Sequence, residues 1–372
     1  MPDPPGAVSI DAPAKINLAL HAVGKRADGY HLLESLVVFT RFGDRLTISQ
    51  GDTDAFSVDG PFADGVPLDA TNLVLRARDA LRERMGRTPS TAFGGPHPPL
   101  RRGGSAAATF APPLRSGGEG PPKAVEGASS GASHLWETES HGQGYLPPPP
   151  RFDPLAAQAD LIDPPHKWDG KGCAAIRLTK NLPIASGIGG GSSDAAAALK
   201  GLNDIWTLGL DRAQLADIAL ALGADLPMCL AARPLVARGI GEIIDPTPDF
   251  PDLHLVLVNP AVAVSTPQVF KGLSRSGNPP LPPLPTPLDL TALVGWLAAT
   301  RNDLEAPALS LAPQIGEALA ALAAQSAAFA RMSGSGATCF GLFANAGQAK
   351  LAADTIRLAR PGWFVVATRT NH

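Results

Sequence analysis

Pro183 to Ser193 reads P-I-A-S-G-I-G-G-G-S-S, a bend with almost no side chains. Glycines at Gly187, Gly189, Gly190 and Gly191 let backbone N–H groups turn inward on an anion, and a helix starting there adds unpaired donors and the positive end of its dipole. Phosphate is the chemistry such a joint suits. Ser192 and Ser193 could cap that helix or bond a phosphate oxygen. Two familiar phosphate loops are excluded: no lysine follows Gly191, as a P-loop requires, and a dinucleotide fingerprint starting at Gly187 needs glycine where Ser192 stands.

Four further stretches carry groups that could do chemistry. In Ala12-Pro-Ala-Lys-Ile-Asn-Leu-Ala-Leu20 a lysine sits between apolar neighbours. Lys15 either snorkels to solvent or serves a site, and Asn17, two residues on, shares its face in a strand. Arg26-Ala-Asp-Gly-Tyr-His31 is a turn in which Tyr30 and His31 either pack below Asp28-Gly29 or recognise a base by stacking and hydrogen bonding. In Leu222-Gly-Ala-Asp-Leu-Pro227 the carboxylate of Asp225 is either a helix cap or, beside a lysine, an acceptor for a hydroxyl proton. Met332-Ser-Gly-Ser-Gly-Ala-Thr-Cys339 reads as a second backbone cradle; Ser335 has glycine on both sides, which does not fit the hydrolase elbow. No metal-binding spacing is readable.

These groups need elements to place them. Ala174 to Lys180 alternates like a half-buried strand, and the alanine-rich stretch after Asp194 has high helix propensity, so the glycine bend joins strand to helix. Thr71 to Met85 has helical spacing and starts at Thr71 or Asn72. Helices are expected over 211–222, 288–300 and 311–330, and strands over 236–244, 253–259 and 363–368. Strands mixed with helices without regular alternation point to an α+β fold.

At 372 residues and 44% hydrophobic, the chain can build two domains. Its net charge of -3 gives no basic footprint for nucleic acid. Cys173, Cys229 and Cys339 fit neither a disulfide framework nor a zinc site. There is no signal-peptide order and no apolar run of roughly 18 residues, so no membrane is expected and the expected location is cytoplasmic. From about residue 87 to 170 the chain is crowded with Pro, Gly, Ser and Ala. An imperfect duplication there repeats Pro98-Pro-Leu-Arg-Arg-Gly-Gly104 as Pro112-Pro-Leu-Arg-Ser-Gly-Gly118. The composition favours a disordered surface insertion; Trp136, Tyr145, Phe152 and Trp168 keep a docking segment as the alternative.

In this order, Pro13-Ala-Lys-Ile-Asn17, the Pro183–Ser193 bend, Leu222–Pro227 and Ser333–Ala337 resemble the GHMP kinase superfamily. Arg26–His31, Thr266-Pro-x-x-Phe270 and Arg301-Asn-Asp303 are similar to its branch acting on a cytidine-diphosphate-linked methylerythritol in the non-mevalonate route to isoprenoids. The resemblance implies a two-domain fold, residues 1–248 binding nucleotide and 249–372 forming a C-terminal domain, with the active site in the cleft between them. It implies phosphorylation of the substrate's 2-hydroxyl by ATP, with Mg2+ carried on the nucleotide phosphates, Asp225 accepting the proton and Lys15 balancing charge. Asn72, Pro183, Ala185, Ser186, Gly187, Gly189, Gly190, Gly191, Ser192 and Ser193 would hold the nucleotide. Tyr30 and Phe270 would sandwich cytosine with His31 at its edge, while Asn17, Thr266, Gly334, Ser335 and Gly336 would meet the rest of the substrate. Ala185 and Ser186 stand where some relatives have glycine. The partners implied are this small molecule, no nucleic acid and no membrane, on a monomer or homodimer. The alternatives are another small-molecule kinase of the superfamily or a ligand sensor without catalysis.

Overall fold

In the computed structural model, which describes residues 6–86 and 172–371, the apolar run at 12–20 is the middle of an 18-residue strand, β1 (Val8–Lys25). The turn at 26–30 returns the chain into an antiparallel partner of 20 residues, β2 (His31–Gln50). The alternation expected of a half-buried strand is blurred because both faces are covered: Leu36 and Val38 pack on one side, Val37 and Phe39 on the other. β3 (Ala55–Asp59), β4 (Ala174–Thr179), β5 (Leu235–Gly239) and β6 (Ile243–Pro246) complete a six-stranded sheet in the order β3-β4-β2-β5-β6, with β1 against β2. The second sheet is antiparallel and four-stranded. Its order is β10 (Phe364–Arg369), β7 (His254–Asn259), β9 (Cys339–Phe343), β8 (Phe329–Met332).

The helices are α1 (Leu73–Gly86), α2 (Gly190–Ile205), α3 (Arg212–Leu222), α4 (Leu226–Ala231), α5 (Thr266–Lys271), α6 (Leu290–Ala298), α7 (Glu305–Leu311), α8 (Gln314–Ala324) and α9 (Ala346–Ala359). α1 to α4 bury Val74, Leu81, Ala195, Leu199 and Met228 against Val37, Phe39, Leu46 and Ile48 of the first sheet. The other face of that sheet, carrying Ile16, Leu18, Leu36 and Val38, meets Leu255, Leu257, Phe340 and Leu342 of the second. Val256, Val258 and Phe343 then turn outward onto Ala308, Ile315, Leu322 and Ile356 of α7 to α9. The layers run helices, sheet, sheet, helices, an α+β architecture.

Two expected elements differ. The single strand read over 236–244 is the antiparallel pair β5 and β6, turned at Ile240–Glu242 where Gly241 takes φ +122. The helix read over 311–330 breaks at Pro313, ends at Ala324 and turns through Ser326 at φ +59; Phe329–Met332 is then strand. Alanine-rich propensity there yields to a ladder with β9 that the local sequence does not announce. The insertion at 87–170, its duplication and its expected disorder lie outside the described residues. Among the described residues no helix is long and apolar enough to cross a membrane.

Candidate active site

Register shifts interrupt β1 against β2 between Pro13 and Lys15, between Asn17 and Ala19, and between Ala22 and Gly24. A bulge re-aims the side chains around it, and Lys15 and Asn17 stand between the first two. Lys15 does not snorkel outward: it is 6% exposed, and its Nζ donates to Asp225 Oδ2 at 2.5 Å across 210 residues of chain. Asp225 occupies the N-cap of α4 but its side chain makes no cap bond, so the ion pair replaces the helix-cap reading. Burial works against the charge on Lys15, but the adjacent carboxylate outweighs it and holds the ammonium pKa above its ordinary value. Burial pushes the nearby Cys229 thiol up to about 12, so it stays neutral beside the pair. Side-chain exposure is 8% for Lys15 and 43% for Asp225: a buried cation presents a half-open carboxylate.

The glycine bend lies against this pair. The Lys15 N–H donates to Ile188 O at 2.9 Å, and a Cβ on Gly189 would come within 3.1 Å of Lys15 Cβ. α2 starts at Gly190 with no side-chain cap bond, which leaves the N–H groups of Gly190, Gly191 and Ser192 for an anion. Ser193 is already engaged elsewhere, its hydroxyl donating to Pro13 O at 2.7 Å and its N–H to Gly189 O at 2.9 Å. Ser186 likewise braces the bend, donating to Pro183 O at 2.6 Å. Ala185 takes φ +51, a left-handed conformation that glycine adopts more cheaply. Asn72 caps α1, accepting from Val74 N–H at 2.8 Å and donating to Pro67 O at 2.7 Å; the next residue, Leu73, borders Gly191.

The second glycine-serine stretch is a brace rather than an open cradle. Ser333 Oγ accepts from Asn17 N–H at 3.0 Å, and Asn302 donates to Met332 O at 2.9 Å and Gly334 O at 2.8 Å. A Cβ on Gly334 (φ +55) would stand 2.8 Å from Gly187 O, and one on Gly187 (φ +75) 2.6 Å from Gly336 O. The two loops thus touch backbone to backbone, an approach that glycine alone allows. From there the line of expected site residues continues. Ser335 Oγ meets Thr266 Oγ1 at 2.7 Å, Thr266 opens α5, and Phe270 on α5 stacks with His31 at 5.3 Å between ring centroids and 29°.

Tyr30 stays apart from that stack. It is 56% exposed, and the ring found against Phe270 is that of His31, not that of Tyr30. Burial lowers the pKa of His31, whose Nδ1 is buried without a hydrogen-bond partner. A cavity of about 470 Å³ opens beside the stack, lined by Lys25, Gly29, His31, Phe270, Lys271 and Arg275, a size and charge suited to an anionic nucleotide fragment.

Residues 157–233 match the GHMP kinases N terminal domain and residues 289–359 the GHMP kinases C terminal domain. The chain is 48% identical to 4-diphosphocytidyl-2-C-methyl-D-erythritol kinase of Mesorhizobium japonicum over 96% of its own length and 94% of that protein's. The chain belongs to this kinase family. A second member, from Sinorhizobium medicae, is 43% identical over 98% of this chain and 95% of its own. Among solved structures, one titled 4-(cytidine 5'-diphospho)-2C-methyl-D-erythritol kinase superposes with a TM-score of 0.62 at 25% identity, covering 98% of this chain and all of that one. A structure titled L. major mevalonate kinase, at 14% identity and a TM-score of 0.57, shares the fold.

Within the architecture of this kinase family, several groups that shape the site were given no site role by the sequence reading. Ser333 and Asn302 are buried and hold the brace, and Lys180 is buried between Asp44 and Asp194. A signal existed for each: Asn302-Asp303 and Asp44 are polar residues in segments whose neighbours pack in cores, and such groups persist only with partners.

Proposed function

We propose that this chain transfers the γ-phosphoryl group of ATP to the 2-hydroxyl of 4-diphosphocytidyl-2-C-methyl-D-erythritol. The observation that carries the reading is the 2.5 Å contact between Lys15 Nζ and Asp225 Oδ2 beside Gly189, at the mouth of a loop whose helix start is uncapped. Phosphoryl transfer asks a protein mainly for positioning and charge stabilisation. The N–H groups of Gly190, Gly191 and Ser192 hold the phosphates. Asp225, the half-open member of the pair, accepts the hydroxyl proton while the oxygen bonds to the γ-phosphorus and the bridging bond to the β-phosphate breaks, releasing ADP. Lys15, charged well beyond neutral pH, stabilises the developing alkoxide. Mg2+ enters on the nucleotide phosphates, as part of the MgATP substrate.

The far end of the site reads the cytidine. Phe270 and His31 supply ring surface, Tyr30 closes over the base from its exposed turn, and the cavity cations Lys25, Lys271 and Arg275 face the substrate's charge. Asn17, Thr266 and Ser335 lie between that end and the phosphate loop and meet the alcohol. The test is ADP release with three acceptors, the cytidylated methylerythritol, homoserine and mevalonate. Turnover with the first alone is expected; turnover with either other alcohol and not the first assigns a sister activity, and binding of both ligands without transfer assigns a sensor.

A further inference from the structure

Three buried charges sit directly beneath the phosphate loop and take no part in the chemistry above. Asp44, Lys180 and Asp194 are 1%, 4% and 3% exposed. Lys180 follows β4 directly, three residues before Pro183, and its Nζ bonds Asp44 Oδ2 at 2.5 Å and Asp194 Oδ2 at 2.7 Å. Asp44 also holds the entrance of the bend by its backbone, since Oδ1 accepts from Asn181 N–H at 2.6 Å and Leu182 N–H at 2.8 Å. Asp194 belongs to the first turns of α2, the exit of the bend. One ammonium therefore clasps both ends of the loop, and the clasp has no slack: a Cβ on Gly190 would stand 3.0 Å from Lys180 Nζ.

A buried ion cluster is weak evidence for stability, because desolvation offsets most of its attraction, so its retention here asks for another reason. We propose that the Asp44–Lys180–Asp194 cluster is a positioning device for the nucleotide loop, fixing the separation of its two ends so that the N–H groups of Gly190 and Gly191 converge on phosphate. The inference rests on reading this loop as the ATP site. The charge count agrees with that role. Burial pushes the pKa of the Asp194 carboxyl well above its ordinary value, the direction that lessens negative charge under a phosphate. Asp194 Oδ1, buried without a hydrogen-bond partner, is the oxygen left over by that arrangement.

The experiment measures ATP affinity by calorimetry on the full chain, beside thermal unfolding and steady-state kinetics. Asp194→Ala cuts the tie to α2 but leaves the Asp44–Lys180 pair whole; the expected result is ATP binding about tenfold weaker, with KM for the alcohol within about twofold. Asp194→Asn, which keeps an oxygen for Lys180 without a charge, restores most of the affinity. A lowered unfolding temperature with ATP affinity unchanged overturns the proposal, because a purely structural cluster behaves that way. Should Asp194→Ala fail to fold, Lys180→Arg asks the same question, since its wider head crowds Gly190 while keeping both partners; unchanged ATP affinity there overturns it too. A wild-type chain that binds ATP without transferring phosphate removes the proposed activity and leaves this inference standing.

Discussion

Two glycine-serine loops of nearly the same composition do opposite work in this fold. The bend at 187–192 ends in an uncapped helix whose N–H groups have no side-chain partner, while the stretch at 333–337 is buried and tied by Asn302, Ser333 and the backbone of Gly187. Glycine leaves backbone N–H groups open at Gly190 and Gly191 in the first and allows approach to another backbone at Gly334 in the second. Composition therefore marks a place where chains come close; what approaches is decided by the element that follows. A helix start follows one loop, and the strand β9, with its donors used in a ladder, follows the other.

That contrast can be broken by substitution. The largest effect falls on the open side: Asp225→Asn should lower kcat about a thousandfold while ATP affinity stays near wild type, because the proton acceptor is lost and the buried Lys15 ammonium loses its carboxylate partner. Unchanged kcat removes Asp225 from that role. Gly334→Ala comes next. It forces a side chain onto φ +55 and against Gly187 O, and should cost about 2 kcal/mol of stability in denaturant unfolding. Gly191→Ala should separate the loops: its added Cβ meets only Leu73 at 3.8 Å, so folding is unharmed, yet ATP affinity should fall about tenfold because the proposed phosphate contact uses the N–H groups on either side of that methyl. If Gly334→Ala leaves stability intact, or Gly191→Ala leaves ATP affinity intact, the division of labour is wrong.

The smallest effect is a pH dependence of the brace. The Arg301 N–H donates to His21 Nε2, which leaves Nδ1 to donate to Pro279 O at 2.9 Å. Burial lowers the His21 pKa below its ordinary value, so the neutral ring contributes stability above pH 6.5 that is lost as the pH falls through the lower folded value. Unfolding followed from pH 7.5 to 5 should show a slope of at most one proton from this site, and His21→Gln should flatten it.

The strand-to-helix joint was legible because glycine, alanine-rich propensity and an alternating strand agree within some twenty residues. The pairing of Lys15 with Asp225 was not legible from periodicity, since each residue has a common local explanation that only coordinates or resemblance can displace. The long β2 and the strand at 329–332 were missed for two reasons: β2, buried on both faces, loses its alternation, and before 329–332 alanine speaks for helix until a distant ladder overrules it. Around Phe270 the ring types were readable, but the pairing of His31 rather than Tyr30 with Phe270 depends on a turn whose side chains the sequence does not orient.

The tie from Asn17 N–H to Ser333 spans 316 positions, and that from Ala22 N–H to Asp303 spans 281. On the ribosome, then, the first strand emerges with donors whose acceptors have yet to be translated. The phosphate bend is complete by residue 193, but the backbone it leans on arrives some 140 residues later, at roughly 5–20 residues per second. A nascent chain halted in that interval carries the whole nucleotide motif and no working enzyme.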